Sequence, residues 1–180
     1  MQKNKNSIFS FAMQAGFGLG GFWVFKYLFV MGAVKYPALG FVNGFLIFLT
    51  PLLLLFYTVN YKNSKSDNTL KYWEGVRFGV ILFFFASIIE SVIVLIHVIK
   101  IDPAYISKAN QELIDTTQLL VQSYNFDSSI VDEMKKQTSL SPAIYVFRWI
   151  MNNVFLGFIL SLIISPIASR ITILIKKTDK

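Results

Sequence analysis

Four long runs of apolar residues constrain the fold more than any other feature of this chain. They cover residues 8–31, 37–61, 75–99 and 143–167. A transmembrane α-helix needs about 20 mostly apolar residues to cross the hydrocarbon core of a bilayer, and each run is long enough. The sequence therefore predicts an all-α membrane protein in which four transmembrane helices pack as a bundle. We expect residues 1–180 to form a single integral membrane domain.

The positive charges beside these segments indicate how they are oriented. Loops rich in Lys and Arg usually face the cytoplasm. One side carries Lys3, Lys5, Lys62, Lys65, Lys71, Arg170, Lys176, Lys177 and Lys180, and the other carries Lys35, Lys100, Lys108, Lys135 and Lys136. We therefore expect both termini to be cytoplasmic. The net charge of +7 then reflects topology and attraction to anionic lipids, and we expect no nucleic-acid partner.

About forty residues separate the third and fourth apolar segments. Asp102 followed by Pro103 is a typical start of a helix, and apolar residues recur after it at helical spacing. A second, shorter helix is expected to begin at Asp127. The sequence therefore predicts an external helical hairpin over residues 102–141, between helices 3 and 4.

Polar side chains recur within the apolar segments, at a similar depth in the outer half. This predicted intramembrane layer consists of Glu90, Arg148, Lys26, His97, Asn43, Asn152 and Asn153. An isolated charge at the centre of a bilayer costs about 2.5–3.5 kcal/mol on insertion scales, so we expect Glu90 to pair with Arg148 or with Lys26. Two interpretations remain open. The pairing only fixes the helix register, or the layer lines an outward-open cavity that binds an anionic head group or relays a proton.

A second group of charged residues lies at the predicted cytoplasmic end of helices 2 and 3. It consists of Lys62, Lys65, Lys71, Glu74 and Arg77. Glu74 and Arg77 are three residues apart, a spacing that favours a local ion pair on a helix. The group is either an interfacial anchor or a contact face for a cytoplasmic partner.

Small residues recur at four-residue spacing in every apolar segment. They are Gly16 and Gly20, Gly40 and Gly44, Gly75 and Gly79, and Gly157, Ser161, Ser165 and Ser169. Such stripes allow close approach of helices in lipid. We expect them to serve packing within the chain, with a homo-oligomer as the alternative.

Residue types that commonly carry out catalysis are scarce. The chain has one histidine and no cysteine, so it can assemble neither a Cys-His pair nor a metal cluster of the usual ligands. It also lacks a G-x-x-x-x-G-K-[ST] loop for phosphate. We expect no enzymatic activity, no metal and no cofactor.

The third apolar segment begins with "YWEGVRFG" and ends with "IDPAY". In these stretches Glu74, Gly75 and Gly79 are followed later by Ile101, Pro103 and Tyr105. In this order of features the chain resembles the bacterial domain of unknown function 4199 family, which consists of small four-span membrane proteins. The resemblance implies a bacterial inner-membrane location and no assigned activity. It also implies a genomic association with glycosyltransferases of the polyprenyl-phosphate type.

Two functional hypotheses follow. The leading one is a non-enzymatic membrane subunit or anchor that positions a partner, such as a polyprenyl-phosphate-type glycosyltransferase. The alternative is a small transporter or lipid-linked sugar flippase that uses the outer polar layer. Polyprenyl phosphate or another anionic lipid is the expected membrane ligand in either case.

Overall fold

The computed structural model describes residues 7–136 and 140–171. These ranges are mostly helical and contain no strand. The helices are α1 (Ile8–Ala33), α2 (Ala38–Ile47), α3 (Leu49–Ser64), α4 (Tyr72–Ile96), which continues as a π-helical turn (His97–Ile101), α5 (Tyr105–Tyr124), α6 (Ser129–Lys136) and α7 (Pro142–Arg170). Four segments are long and apolar enough to span a membrane: Ile8–Ala33, Ala38–Ser64, Tyr72–Ile101 and Pro142–Arg170. The predicted all-α membrane fold is confirmed.

The second span, predicted over residues 37–61 with a kink or helix end at Pro51, consists of two helices. Pro51 lacks the N–H that would bond to the carbonyl of Ile47, the last residue of α2. A tight turn at Phe48 follows, in which its N–H donates to the carbonyl of Phe45 at 3.2 Å. Pro51 then lies in the first turn of α3, where N–H groups need no partner within the helix.

The contacts within the chain divide it into two compact units. The first combines Met1–Ile93 with Trp149–Lys180, and the second is Val94–Arg148. In the second unit α5 and α6 pack through the buried side chains of Ile114, Val121 and Val131. The helical hairpin is therefore confirmed, while its external position and the single domain over residues 1–180 stay predictions.

Two aspartates set the beginnings of the hairpin helices. The Asp102 carboxylate accepts the N–H of Ala104 at 3.2 Å, and its hydrogen bond with the Lys108 ammonium lowers its pKa. The Asp127 carboxylate accepts the N–H of Ser129 at 2.9 Å, which lowers the pKa of Asp127. Because Asp102 caps a turn over residues 102–104, α5 begins at residue 105, two residues later than predicted.

Helix α4 forms the centre of the first unit. Its side chains Phe78, Leu82, Phe83 and Ala86 are fully buried in a core shared with α1, α3 and α7. The predicted small-residue stripes make this packing possible on two sides. Gly16 and Gly20 of α1 lie against Phe85 and Ile89 of α4, while Gly75 and Gly79 of α4 lie against Ser165 and Ser161 of α7.

The stripe in the second span differs from the others. A Cβ atom on Gly44 would have no heavy atom within 4 Å, and one on Gly40 would touch only Ala33, at 3.9 Å. The prediction of packing within the chain therefore does not extend to α2. A homo-oligomer built on this stripe stays a prediction.

Tyr72 joins the beginning of α4 to α7 near a proline. Pro166 lies inside α7, which continues to Arg170. Because Pro166 has no N–H, the carbonyl of Leu162 lacks its usual helical donor, and the Tyr72 hydroxyl donates to it at 3.4 Å. The Ser165 hydroxyl in turn donates to the Tyr72 carbonyl at 2.7 Å. These two hydrogen bonds fix the beginning of α4 against α7.

Candidate functional site

Glu90 places a carboxyl group deep inside the first unit. Its side chain is 1% exposed. The residue lies about 5 Å from the midpoint of its 30-residue span, taking 1.5 Å per residue. Burial of a carboxyl group at this depth is unfavourable unless hydrogen-bond donors or an opposite charge accompany it.

Two neutral donors from α7 reach one oxygen of this carboxyl group. The Trp149 indole N–H and the Asn153 side-chain amide each donate to Glu90 Oε2 at 2.9 Å. These two residues are four positions apart and therefore lie on the same face of α7. On its other side the Trp149 ring meets the Tyr27 ring of α1 edge-on, with centroids 5.9 Å apart. Helices α1, α4 and α7 thus meet around Glu90.

The second oxygen of Glu90 has a different environment. Oε1 is buried and has no hydrogen-bond partner among the residues that the structure describes. An unsatisfied buried polar atom costs about 1–3 kcal/mol, and the great majority of such atoms in native proteins are paired. Glu90 therefore has one oxygen that is held by the protein and one that is available to accept a hydrogen bond.

Lys26 is the one basic residue of α1. Its half-buried ammonium lies 5.6 Å from the centroid of the Trp23 ring, and its charge acts on Glu90. Within the described part of the first unit, the one direct ion pair is Lys65–Glu74. Lys26 and Glu90 therefore interact at longer range. We refer to Glu90, Lys26, Trp149 and Asn153 as the Glu90 cluster.

The structure brings only part of the predicted polar layer into this cluster. Asn152 is exposed. Asn43 is half-buried in α2, and its Oδ1 has no hydrogen-bond partner among the described residues. In the second unit His97 is buried with its ring 4.6 Å from that of Tyr105, and Arg148 is exposed. Because Arg148 belongs to the second unit, its pairing with Glu90 stays a prediction.

Three aromatic residues that contact members of the Glu90 cluster or belong to it were not singled out from the sequence. Trp149 donates to the carboxyl group, and Trp23 and Tyr27 are buried in α1 on either side of Lys26. The spacing carried a usable signal, because Trp149 and Asn153 are four residues apart, as are Trp23 and Tyr27. Polar-edged aromatics at this spacing within a span can line a buried polar group.

At the α3–α4 end of the first unit, Glu74 forms a different pair from the one predicted. Its two carboxylate oxygens accept hydrogen bonds from Tyr61 and Lys65, both at 2.8 Å. Arg77 is exposed and forms no ion pair among the described residues. The expected Glu74–Arg77 pair is wrong because α3 and the residue after it already fill both oxygens of Glu74.

Lys62 also departs from the exposed position that a basic contact face requires. Its side chain is 4% exposed. The ammonium donates to the carbonyls of Ser169 and Ile171 at 2.7 and 3.0 Å, and such carbonyls lack partners at the end of an α-helix. Lys62 therefore caps the end of α7, and Lys71 remains exposed with Arg77. A partner-binding role of this end stays a prediction.

We predict that Lys62→Met destabilises the first unit by about 2 kcal/mol, a typical contribution of hydrogen bonds from a charged donor. The two carbonyls would lose their donor, while the methionine side chain would still fill the buried space that the aliphatic part of Lys62 occupies. Lys71→Met is the matched control, and we expect almost no change from it because Lys71 is exposed. Thermal unfolding in detergent measures both variants. Equal losses would show that the capping contacts of Lys62 are unimportant.

The fold and the site define a multi-pass α-helical membrane protein with an acidic group enclosed between its spans. The chain belongs to the family described as protein of unknown function (DUF4199), whose sequence model matches residues 14–170. This membership agrees with the resemblance carried by the "YWEGVRFG" and "IDPAY" stretches. No curated protein and no solved structure matches the chain.

Proposed function

We propose that the protein is a small non-enzymatic transporter that uses the Glu90 cluster as its proton or substrate site. One observation carries this proposal. Glu90 Oε1 is buried without a hydrogen-bond partner among the described residues, while Oε2 has two. A carboxyl group that only fixed helix register would gain from partners on both oxygens, since each unsatisfied atom reduces stability.

The chemistry of Oε1 restricts what the site can take. A carboxylate oxygen only accepts hydrogen bonds, so its ligand must donate one. A proton, an ammonium group or a hydroxyl group meets this requirement, whereas an anionic group does so only if it brings its own donor. The sugar of a lipid-linked saccharide carries many hydroxyl groups and is therefore compatible with the site.

Burial adds a second restriction. With Glu90 at 1% exposure, a ligand larger than a proton reaches Oε1 only after the helices separate. A proton is therefore the cargo that fits the observed packing, and a larger substrate requires an open state. Intramembrane carboxyl groups of this kind are recurrent parts of proton relays in transporters. Lys26, whose charge acts on Glu90, is the titratable group of α1 that would respond to a change in its protonation.

Proton flux into proteoliposomes tests this proposal. Purified protein would be reconstituted with an entrapped pH-sensitive dye, and a potassium gradient with valinomycin would drive protons inward. We expect the wild type to acidify the lumen and Glu90→Gln to reduce the rate at least about tenfold, since each tenfold change in rate corresponds to only 1.36 kcal/mol. Ser87→Ala is the control, because Ser87 is buried on the same helix and its hydroxyl donates only to the carbonyl of Phe84, one turn earlier in that helix.

Two outcomes would contradict the proposal. One is a wild-type rate equal to that of protein-free vesicles. The other is an unchanged rate in Glu90→Gln. A thermal unfolding profile of each variant distinguishes loss of transport from loss of the fold.

The partner-positioning hypothesis stays a prediction. The side chains of three of its five contact residues, Lys62, Lys65 and Glu74, form hydrogen bonds within the chain. The structure thus leaves a smaller exposed basic surface for a glycosyltransferase than the sequence suggested.

A further inference from the structure

We propose that Arg77, together with Trp73 and Lys71, binds the phosphate group of an anionic phospholipid at the α3–α4 end of the first unit. This inference goes beyond the proposed transport function and concerns different residues. It rests on three observations. They are the depth of Arg77 in its span, the hydrogen bonds that already occupy the neighbouring Glu74 carboxylate, and the exposed ring of Trp73 on the same face of α4.

The depth of Arg77 places its charge at the boundary of the hydrocarbon core. The span Tyr72–Ile101 contains 30 residues and is about 45 Å long at 1.5 Å per residue. A core about 30 Å thick, centred on this span, covers about 20 residues and begins near residue 77. Arg77 is exposed on the outer surface of the unit, so its guanidinium reaches the layer of lipid head groups.

The acidic residue one helical turn before Arg77 does not neutralise it. Glu74 is one helical turn away, but its oxygens are occupied by Lys65 and Tyr61 at 2.8 Å each. Among the described residues Arg77 takes part in no ion pair. A guanidinium at the edge of the hydrocarbon core is therefore free to bind an anion other than the acidic residues that the structure describes.

Phospholipid phosphate is the anion that this location supplies. A guanidinium matches phosphate with two parallel hydrogen bonds, which an ammonium group cannot make in the same geometry. Trp73 precedes Arg77 by four residues, so the two lie on one face of α4, and the Trp73 side chain is 61% exposed. Tryptophan favours the head-group layer. Lys71, exposed just before α4, adds a second positive charge.

Quenching of Trp73 by brominated lipids tests this inference. The full-length protein would be placed in vesicles containing brominated phosphatidylglycerol or brominated phosphatidylcholine, and Trp73→Phe would define the signal of Trp73. We expect phosphatidylglycerol to quench Trp73 preferentially. Arg77→Gln should reduce this preference more than fivefold. Any basic residue near an anionic surface contributes about 1 kcal/mol, which corresponds to about fivefold, and Arg77 also loses its two hydrogen bonds to phosphate.

Arg170→Gln is the matched control, because it removes an equal charge from an exposed arginine at the end of α7. A loss of preference that is larger in Arg77→Gln than in Arg170→Gln supports the site. An unchanged preference in Arg77→Gln overturns it, and an equal loss in both variants overturns it too, because that result reflects only a general effect of charge. If a photoreactive group at residue 73 cross-linked a protein instead of lipid in native membranes, the surface would be a protein contact and the inference would be wrong.

Discussion

Replacing Gly20 with leucine should destabilise the first unit by about 3 kcal/mol, near the upper end of what overpacking commonly costs. A Cβ atom on Gly20 would lie 2.8 Å from Cβ of Ile89 and 3.0 Å from the carbonyl oxygen of Ala86. The second contact is with backbone, so α1 can accept a larger side chain only by moving away from α4. Because Glu90 follows Ile89 directly, the same change should also disturb the Glu90 cluster.

Gly21→Leu provides an internal control for this experiment. Gly21 is the next residue on α1, and a Cβ atom there would have no heavy atom within 4 Å. Both substitutions change helix propensity in the same way, so their difference isolates the contact with α4. Thermal unfolding in detergent measures it. Equal stability of the two variants would show that α1 and α4 do not pack closely at Gly20.

Removing both donors to Glu90 should produce the second large effect. We expect Trp149→Phe with Asn153→Leu to reduce the stability by about 2–3 kcal/mol. Two hydrogen bonds to a charged group contribute about 3–6 kcal/mol together in water-soluble proteins. Bonds between membrane helices usually contribute less than about 2 kcal/mol each, so we expect a loss at or below the bottom of that range. The loss arises because the carboxyl group would remain buried with neither oxygen bonded.

Adding Glu90→Met to that pair of changes should restore most of the lost stability. The triple variant removes the group that needs the donors, and replacement of a whole buried polar set by apolar residues is often nearly neutral. Asn152→Leu is the control for position 153, because Asn152 is exposed. A triple variant no more stable than the double variant would show that Trp149 and Asn153 act through packing and not through Glu90.

The sequence predicted the spans well because their length and composition follow directly from the thickness of a bilayer. The first span begins at Ile8 in both the prediction and the structure, and ends at Ala33 instead of residue 31. A kink or helix end was expected from Pro51 in the sequence, and the structure places the break at Phe48, three residues earlier. Proline removes a hydrogen bond to the fourth residue before it, and the consequence therefore appears upstream of the proline itself.

The depth of the candidate site could be predicted from the sequence, but the directions in which its side chains point around each helix axis could not. Rise per residue gives the depth of Glu90, whereas one residue along a helix turns the side chain by about 100°. Trp149, which bonds to Glu90, is such a step away from the predicted partner Arg148, and it was not identified from the sequence. Lys62 illustrates a second limit. From the sequence a lysine near the end of a span is expected to be exposed, but tertiary packing places Lys62 against the end of α7.

The central claim is that Glu90 is the group that takes up and releases a proton inside the bilayer. Reaction with dicyclohexylcarbodiimide, followed by mass spectrometry of the modified peptide, tests it most directly, because this lipid-soluble reagent attacks protonated carboxyl groups. We expect Glu90 to be the principal modified residue and its modification to decrease as the pH is raised, with Glu90→Gln unmodified in that peptide. Absence of modification at Glu90 across the whole pH range, while other acidic residues react, would contradict the account.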